Sequence, residues 1–330
     1  MTAFVDGHDV AFFDLDGVVY LGPVAVEGAV EGVAALRAQG VRAIFVTNNA
    51  ARSADVVAAH LTALGFPATA DDLVTSAQAA AGLLRRELPP GSKVLVAGTS
   101  NLVQHVESAG MVAVTTAADE PVAVIQGYDP AMTWPRLDEA ALAVQRGARW
   151  FATNTDSTRP TDRGLVPGAG TMVAAVRATV DHDPEVVGKP HRPLMEEAML
   201  RTGARNPVFV GDRIDTDIMG AHVIGIDSFL VFTGAHGVKD LCAAPPDGRP
   251  TAIGWNVLSL FEPQRVASVQ PGVATCRGVT ASAVGGRAVL AGDLRDREAQ
   301  LDAAWALAQL AWSGAVSDVS AAADLLNLLP

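Results

Sequence analysis

Cysteine, aromatic residues and positive charge are all scarce in this sequence. Its 330 residues contain only two cysteines, Cys242 and Cys276, which cannot form a disulfide framework. Neither cysteine belongs to a CxxC or Cys/His pattern, so we expect no zinc site and interpret both as small buried apolar residues. Because aromatics make up 5% of the chain, its cores must consist largely of Ala, Val and Leu.

The charge balance is acidic, with 36 Asp and Glu against 24 Lys and Arg and a net charge of −12. An extended nucleic-acid surface needs clustered Lys and Arg, so we expect no nucleic-acid partner. An anionic small substrate stays possible, since a metal and a few cationic groups can reverse the charge of a pocket. No apolar run reaches the about 18 residues of a membrane span. Residues 1–10 lack a signal-peptide pattern, and we therefore expect a cytoplasmic protein without a membrane partner.

Strand and helix patterns alternate along the first 65 residues. An apolar run at 10–15 predicts a buried strand, residues 26–39 a helix, residues 41–46 a second strand and residues 52–64 a second helix. This order predicts right-handed crossovers and a parallel sheet. A second α/β unit follows, and the strand–helix alternation of the first part of the chain returns after Pro184.

The tail differs in character. Strand-like pieces at 265–269, 279–284 and 287–291 precede a helix near 296–312. Four residues of that helix share one face and indicate core packing: Leu301, Trp305, Ala308 and Trp312. The predicted domains are a core at 1–75 and 185–262, an inserted cap at 76–184, and a C-terminal accessory domain at 263–330 that could support a homodimer.

Four polar segments follow predicted strands, where an open parallel sheet binds its ligands. We expect them to converge on a single pocket around a divalent cation. They are Asp14-Leu15-Asp16-Gly17, Thr47-Asn48-Asn49, Lys189-Pro190 and Gly211-Asp212 through Asp217.

Asp14 and Asp16 project to the same side of an extended chain and repel each other unless a cation or proton joins them. Taken alone, they could equally be two solvated carboxylates at a turn. Thr47 and its two asparagines offer hydroxyl, amide and N–H groups that suit a phosphate, although such residues also cap helices. Lys189 could neutralise phosphoryl charge or simply be solvated. Asp212 could bind the metal with Asp217 behind it, or both could simply be acidic residues at the start of a helix.

Together, the stretches DLDGVVY, TNN, GKP and GDRIDTDI resemble the haloacid dehalogenase-like (HAD) superfamily over residues 8–262. The insertion between TNN and GKP is similar to the C2-type cap of the NagD-like subgroup, which includes p-nitrophenyl, phosphoglycolate and glycerol-3-phosphate phosphatases. This resemblance implies an α/β fold with a Rossmann-like parallel-sheet core, an α/β cap and, in this chain, a small α+β C-terminal domain.

The resemblance also implies site roles. Asp14 would be the nucleophile, Asp16 the general acid and then base, and Lys189 the charge-fixing cation, while Thr47 and Asn48 would hold the phosphoryl group. Mg²⁺ would bind the Asp14 carboxylate, the Asp16 main-chain carbonyl and the Asp212 carboxylate, with Asp217 behind them. The expected substrate contacts are Asn49, Arg52 and, from the cap segment 154–161, Asn154, Asp156 and Arg159.

The predicted function is hydrolysis of a small phosphate monoester through an aspartyl-phosphate. Glycerol 3-phosphate is the favoured substrate and phosphoglycolate the next. Alternatives are a HAD phosphatase of nucleotide or sugar phosphates and a non-enzymatic small-molecule-binding module. A dehalogenase needs neither Asp16 nor a metal, and phosphomutases usually carry an earlier helical cap, so both are disfavoured.

Overall fold

The computed structural model describes residues 2–159 and 163–328. The α-helices are α1 (Ala29–Ala38), α2 (Ala54–Ala63), α3 (Ser76–Glu87), α4 (Ser100–Ser108), α5 (Trp134–Gln145), α6 (Ala169–Arg177), α7 (Arg192–Thr202), α8 (Met219–Ile224), α9 (Val238–Ala243), α10 (Arg297–Trp312) and α11 (Ser320–Ala323). Among the residues described, no helix has the length and apolar character to cross a membrane.

The strands alternate with these helices until the tail. They are β1 (Val10–Phe13), β2 (Tyr20–Leu21), β3 (Val24–Ala25), β4 (Arg42–Thr47), β5 (Leu73–Thr75), β6 (Lys93–Ala97), β7 (Val112–Val114), β8 (Ala123–Gln126), β9 (Arg149–Ala152), β10 (Thr158–Arg159), β11 (Val166–Pro167), β12 (Glu185–Val186), β13 (Pro207–Gly211), β14 (Asp227–Val231), β15 (Ala252–Gly254), β16 (Ala267–Gln270), β17 (Val273–Cys276), β18 (Val279–Val284) and β19 (Arg287–Ala291).

The chain divides into two compact units, unit 1 (Met1–Ala43 and Ala204–Pro330) and unit 2 (Ile44–Gly203). In unit 1, β15, β14, β13 and β1 lie side by side in that order, all parallel. All four residues of β1 are buried, as expected for a strand covered on both faces. The predicted α/β fold with a parallel-sheet core is therefore confirmed.

The register of this sheet determines where its polar residues emerge. Phe13 pairs with Val210, so the chain leaves β1 at Asp14 beside the point where β13 ends at Gly211. Parallel strands present their carboxyl ends at one edge. The loops that begin at Asp14 and Asp212 are therefore neighbours within unit 1.

Unit 2 contains the parallel pair β4–β5 and a five-stranded parallel sheet ordered β12-β9-β8-β6-β7. The strand before Lys189 differs from expectation. We predicted that it would reopen the core pattern, but Glu185 and Val186 pair with Phe151 and Ala152 at the edge of the inserted sheet. Two residues are too few for a periodic pattern to indicate which sheet they join.

The tail is an antiparallel sheet, β16-β17-β18-β19, packed against α10. Strand β17 was missed because it is only four residues long and begins directly after a turn at Gly272. The predicted apolar stripe on α10 is confirmed, since Leu301, Trp305 and Ala308 are buried. The core of the tail continues into that of the parallel sheet through Leu230 and Ile253, among others. The domain boundaries given above stay a prediction.

Both cysteines are buried and free, as predicted. Burial raises the pKa of Cys242 to about 12 and that of Cys276 to about 11. Both thiols are therefore protonated at neutral pH and behave as small apolar side chains.

A buried arginine joins the tail to the parallel sheet inside unit 1. Arg265 is 4% exposed and donates to Asp302 Oδ1 on α10 at 3.0 Å and to the Ile253 carbonyl of β15 at 3.3 Å. Burial and the nearby Glu298 carboxylate raise the pKa of Asp302 despite the lowering effect of Arg277 and Arg265. Removing the guanidinium would leave Asp302 with less compensation for its desolvation.

We expect Arg265→Ala to lower the free energy of unfolding by about 3 kcal/mol, since it breaks a buried ion pair and leaves one partner behind. The measurement is thermal and urea unfolding of the whole chain. Arg295→Ala is the control, because Arg295 pairs with Asp293 on the surface, where ion pairs contribute little. Equal stability of the two variants would contradict this role of Arg265.

Candidate active site

Three carboxylates meet at the carboxyl edge of the parallel sheet in unit 1. One oxygen from each of Asp14, Asp212 and Asp217 lies within 4.8 Å of the other two. Asp14 is half-buried, while Asp212 and Asp217 are buried. Like charges at this distance need a cation or protons between them. A set of only carboxylate oxygens suits a hard divalent ion such as Mg²⁺ rather than zinc.

The loop after β1 is held in a tight turn. The Asp14 N–H donates to the Val210 carbonyl at 3.0 Å, which continues the parallel pairing up to the carboxylate. Gly17 has φ +90°, a conformation that favours glycine, and its N–H donates to the Tyr20 carbonyl at 2.8 Å. The turn leaves the Asp16 side chain exposed and outside the carboxylate cluster.

Sequence reasoning missed a segment, residues 233–236, whose main chain donates hydrogen bonds to Asp212. The Ala235 N–H donates to Asp212 Oδ2 at 2.6 Å, and the His236 N–H donates to the Asp212 carbonyl at 3.2 Å. Thr233 Oγ1 also donates to the Gly17 carbonyl at 2.6 Å and so ties this segment to the Asp14 loop. The available signal was the Thr-Gly-Ala-His sequence that begins two residues after the end of β14.

Two glycines make room for the Asp212 carboxylate. A Cβ at Gly17 would lie 2.5 Å from Asp212 Oδ2, and one at Gly234 would lie 2.0 Å from the same atom. Both distances are well below van der Waals contact. Any side chain at either position would have to displace this carboxylate.

Asp217 reaches the cluster from a π-helical turn, Ile214–Ile218, which directly precedes α8. The Ile218 N–H reaches back five residues to the Arg213 carbonyl at 3.2 Å. Asp217 Oδ2 accepts the Arg213 N–H at 3.1 Å. Such widened turns often occur at functional sites.

Asp215, in the same turn, forms a separate ion pair. Burial raises the pKa of Asp215, while the Arg213 guanidinium, which donates to both carboxylate oxygens, lowers it. The lowering effects together are larger, so the pKa lies below its usual value. Asp215 is therefore ionised at neutral pH.

In unit 2, Asn48 is the hub of a hydrogen-bond network. Its Oδ1 accepts the Lys189 N–H at 2.8 Å, and its Nδ2 donates to the Lys189 carbonyl at 3.2 Å and to Asp156 Oδ2 at 3.3 Å. Its main-chain carbonyl accepts Ser76 Oγ at 2.6 Å and Asn154 Nδ2 at 2.8 Å. Sequence reasoning predicted four of these residues for the site and missed Ser76.

Lys189 is 4% exposed, and its ammonium donates to the Val46 carbonyl at 3.3 Å, one residue before Thr47. The Thr47 hydroxyl accepts the Asn49 N–H at 3.1 Å. A buried ammonium is costly unless anions or polar groups compensate it. The Lys189 ammonium therefore lies at the end of β4, at the carbonyl that directly precedes Thr47.

The other predicted substrate contacts stay predictions, and the structure shows what these residues contact within the protein. Asn49 Oδ1 accepts the N–H groups of Ala51 at 2.8 Å and Arg52 at 3.4 Å, and so stabilises its own turn, while the Arg52 side chain is exposed. The Arg159 guanidinium lies 5.0 Å from the centroid of the Tyr128 ring. Two residues of the predicted cap segment, Pro160 and Thr161, lie outside the described residues.

Family models match both parts of the chain that carry these loops. Residues 11–112 match haloacid dehalogenase-like hydrolases, and residues 186–260 match a second HAD-hydrolase-like model. D-glycerol 3-phosphate phosphatase of Mycobacterium tuberculosis is 47% identical over 271 residues, which are 82% of this chain and 76% of that protein. This chain belongs to the haloacid dehalogenase-like hydrolases.

Solved structures agree with this assignment. Glycerol phosphate phosphatase from M. tuberculosis in complex with magnesium matches with a TM-score of 0.88 and 40% identity over 100% of both chains, the tail included. The p-nitrophenyl phosphatase of Archaeoglobus fulgidus matches with a TM-score of 0.70 and 29% identity over 77% of this chain and 98% of that chain. The predictions of a NagD-like HAD protein and of a phosphoric monoester hydrolase are confirmed.

We expect Gly234→Ala to weaken Mg²⁺ binding and phosphatase activity by more than tenfold, because the new methyl group must displace Asp212. The measurement is phosphate release over a range of Mg²⁺ concentrations, together with the melting temperature. Gly278→Ala is the control, since nothing lies within 4 Å of its added Cβ. Parent-like Mg²⁺ dependence in a folded Gly234→Ala would contradict the placement of Asp212.

Proposed function

We propose that this protein is a Mg²⁺-dependent phosphatase of small phosphate monoesters that works through an aspartyl-phosphate on Asp14, with glycerol 3-phosphate as the favoured substrate. The observation that carries the proposal is the cluster of Asp14, Asp212 and Asp217 on the loops that match the family models. Its oxygen-only donor set fits Mg²⁺, in agreement with the relative crystallised with that ion.

The reaction consists of two displacements at phosphorus. A carboxylate oxygen of Asp14 bonds to phosphorus while the bond to the ester oxygen breaks, and Asp16 gives that leaving oxygen its proton. Water then attacks the aspartyl-phosphate, Asp16 takes a proton from it, and inorganic phosphate leaves with Asp14 restored. Splitting a very slow hydrolysis in this way lowers the barrier of each step.

Asp16 lies two residues after Asp14, and its side chain is exposed. This position supports a role in proton transfer, because a side chain outside the cluster keeps access to solvent and to the leaving group. Mg²⁺, held by the Asp14 carboxylate, the Asp16 main-chain carbonyl and the Asp212 carboxylate, would offset the negative charge of the phosphoryl oxygens. Asp217, hydrogen-bonded to the Arg213 N–H, would orient this group from behind.

Thr47, Asn48 and Lys189 hold the transferred group in this proposal. The Thr47 hydroxyl and the N–H groups of its loop would bind phosphoryl oxygens, and the Lys189 ammonium would balance their charge. The Asn48 side chain forms two hydrogen bonds with the backbone of Lys189, so it joins the loop after β4 to the lysine.

The choice of substrate rests on the relatives. The M. tuberculosis protein at 47% identity is named for D-glycerol 3-phosphate, whereas 5'-nucleotidase YutF of Bacillus subtilis is 35% identical over 67% of this chain. Acid sugar phosphatases of staphylococci are 34–35% identical. Glycerol 3-phosphate therefore ranks first, with phosphoglycolate next and nucleotide or sugar phosphates as the alternative.

A substrate panel tests this ranking. We expect kcat/KM for glycerol 3-phosphate to exceed that for phosphoglycolate, a 5'-nucleotide and a hexose phosphate by at least tenfold, with no phosphate release in excess EDTA. The measurement is the rate of inorganic phosphate release in excess Mg²⁺, over a range of concentrations of each substrate. A nucleotide or sugar phosphate at the top would replace the favoured substrate, and full activity in EDTA would exclude the metal site.

We expect Asp14→Asn to abolish turnover while the melting temperature stays within a few degrees of the parent, because the amide is a poor nucleophile of nearly the same shape. Phosphate release and thermal unfolding measure the two effects. Asp181→Asn, at a fully exposed carboxylate, makes the same chemical change as a control. Activity of Asp14→Asn within tenfold of the parent would refute the nucleophile assignment.

A further inference from the structure

The main-chain carbonyl of Asn48 accepts two side-chain hydrogen bonds that no part of the proposed reaction uses. Ser76 Oγ donates to it at 2.6 Å and Asn154 Nδ2 at 2.8 Å. Both donors are buried, with exposed fractions of 0% and 4%. Two buried donors fix the direction of this carbonyl, because loss of either bond would leave a buried donor without compensation.

One donor stands at the start of a helix of unit 2, and the other lies in the loop just after a strand. Ser76 is the first residue of α3, whose start is held by a capping box between Thr75 and Gln78. Asn154 follows β9 by two residues, and its Oδ1 accepts the Asp156 N–H at 3.1 Å, which fixes the orientation of its amide. A contact made from the start of a helix is held more exactly than one made from a loop, and the bond between Asn154 and Asp156 limits the freedom of the loop donor.

The side chain of the same asparagine passes this constraint on to Lys189. Asn48 Oδ1 and Nδ2 bond the N–H and carbonyl of Lys189, a pair of contacts that sets the position of its backbone. Gly188 permits this approach, because a Cβ there would lie 2.6 Å from Asn48 Oδ1 and 2.6 Å from the Thr153 carbonyl. A shift of Asn48 would therefore move the lysine.

We propose that Ser76 and Asn154 are positioning residues: they hold the Asn48 carbonyl so that Asn48 can place Lys189 for phosphoryl transfer. This inference rests on the function proposed above. It also changes the expected role of Asn154, whose amide donates to Asn48 instead of reaching for the substrate. Neither residue touches the transferred phosphoryl group in this proposal; both act through Asn48.

The test is Ser76→Ala, which removes one oxygen atom and keeps the Thr75–Gln78 capping box of α3 intact. We expect kcat to fall about tenfold with KM within twofold of the parent, since small misplacement of a charge-stabilising group slows the chemical step. Asn154→Asp is the companion variant: it keeps an acceptor for the Asp156 N–H and removes the donor to Asn48, so we expect kcat to fall at least as far.

Ser92→Ala is the matched control. Ser92 Oγ donates to the Pro89 carbonyl at 2.6 Å, the same kind of bond at the same length, in the same unit. It should leave kcat and KM unchanged whatever it does to the melting temperature. Parent-like kcat in a folded Ser76→Ala would overturn the proposal, because a purely structural hydroxyl would change stability without changing kcat.

A second measurement does not depend on catalysis. Hydrogen exchange of the Asn48 side-chain amide, followed by NMR, should be about tenfold faster in Ser76→Ala than in the parent and in Ser92→Ala. If the parent releases no phosphate from any monoester, the proposed function fails, and this exchange rate alone decides the inference. Unchanged exchange in Ser76→Ala would then overturn it.

Discussion

Mutual repulsion among carboxylates is the constraint on which the candidate site in unit 1 depends. Asp14, Asp212 and Asp217 present oxygens within 4.8 Å of one another, two of them buried, and such an arrangement is unfavourable until a cation offsets it. The surrounding structure keeps the cluster in place through main-chain donors and through two glycines that leave space for Asp212. Binding of a divalent ion would therefore relieve a repulsion that the fold itself creates.

Unit 2 contains a buried positive charge, the Lys189 ammonium, which is held by neutral groups. Lys189 is buried, and its backbone is hydrogen-bonded by Asn48, whose own carbonyl accepts bonds from Ser76 and Asn154. Neutral hydrogen-bond donors thus orient a charged group without adding charge of their own. Phosphoryl transfer relies on placement and charge compensation more than on covalent chemistry, so this kind of support suits the proposed reaction.

Sequence reasoning found the charged groups but missed some of the residues that hold them, namely Ser76 and the segment 233–236. Asp14, Asp212 and Lys189 were predicted because they follow predicted strands, where an open parallel sheet binds its ligands. Ser76 and the segment 233–236 look like ordinary capping and turn residues, and their importance lies only in which distant carbonyl or carboxylate they contact. Strand β12 was predicted to exist, but its pairing with β9 depends on the folded chain, because two residues carry no usable pattern.

By itself the sequence determined the alternation of strands and helices, the parallel sheet and the polar residues at its strand ends, because hydrophobic periodicity and order along the chain are local properties. The tertiary structure alone decided that Asp217 joins Asp14 and Asp212, that α10 shares a core with the parallel sheet, and that Asn154 supports Asn48. Those contacts join residues far apart in the chain, and only the packing of whole elements specifies them.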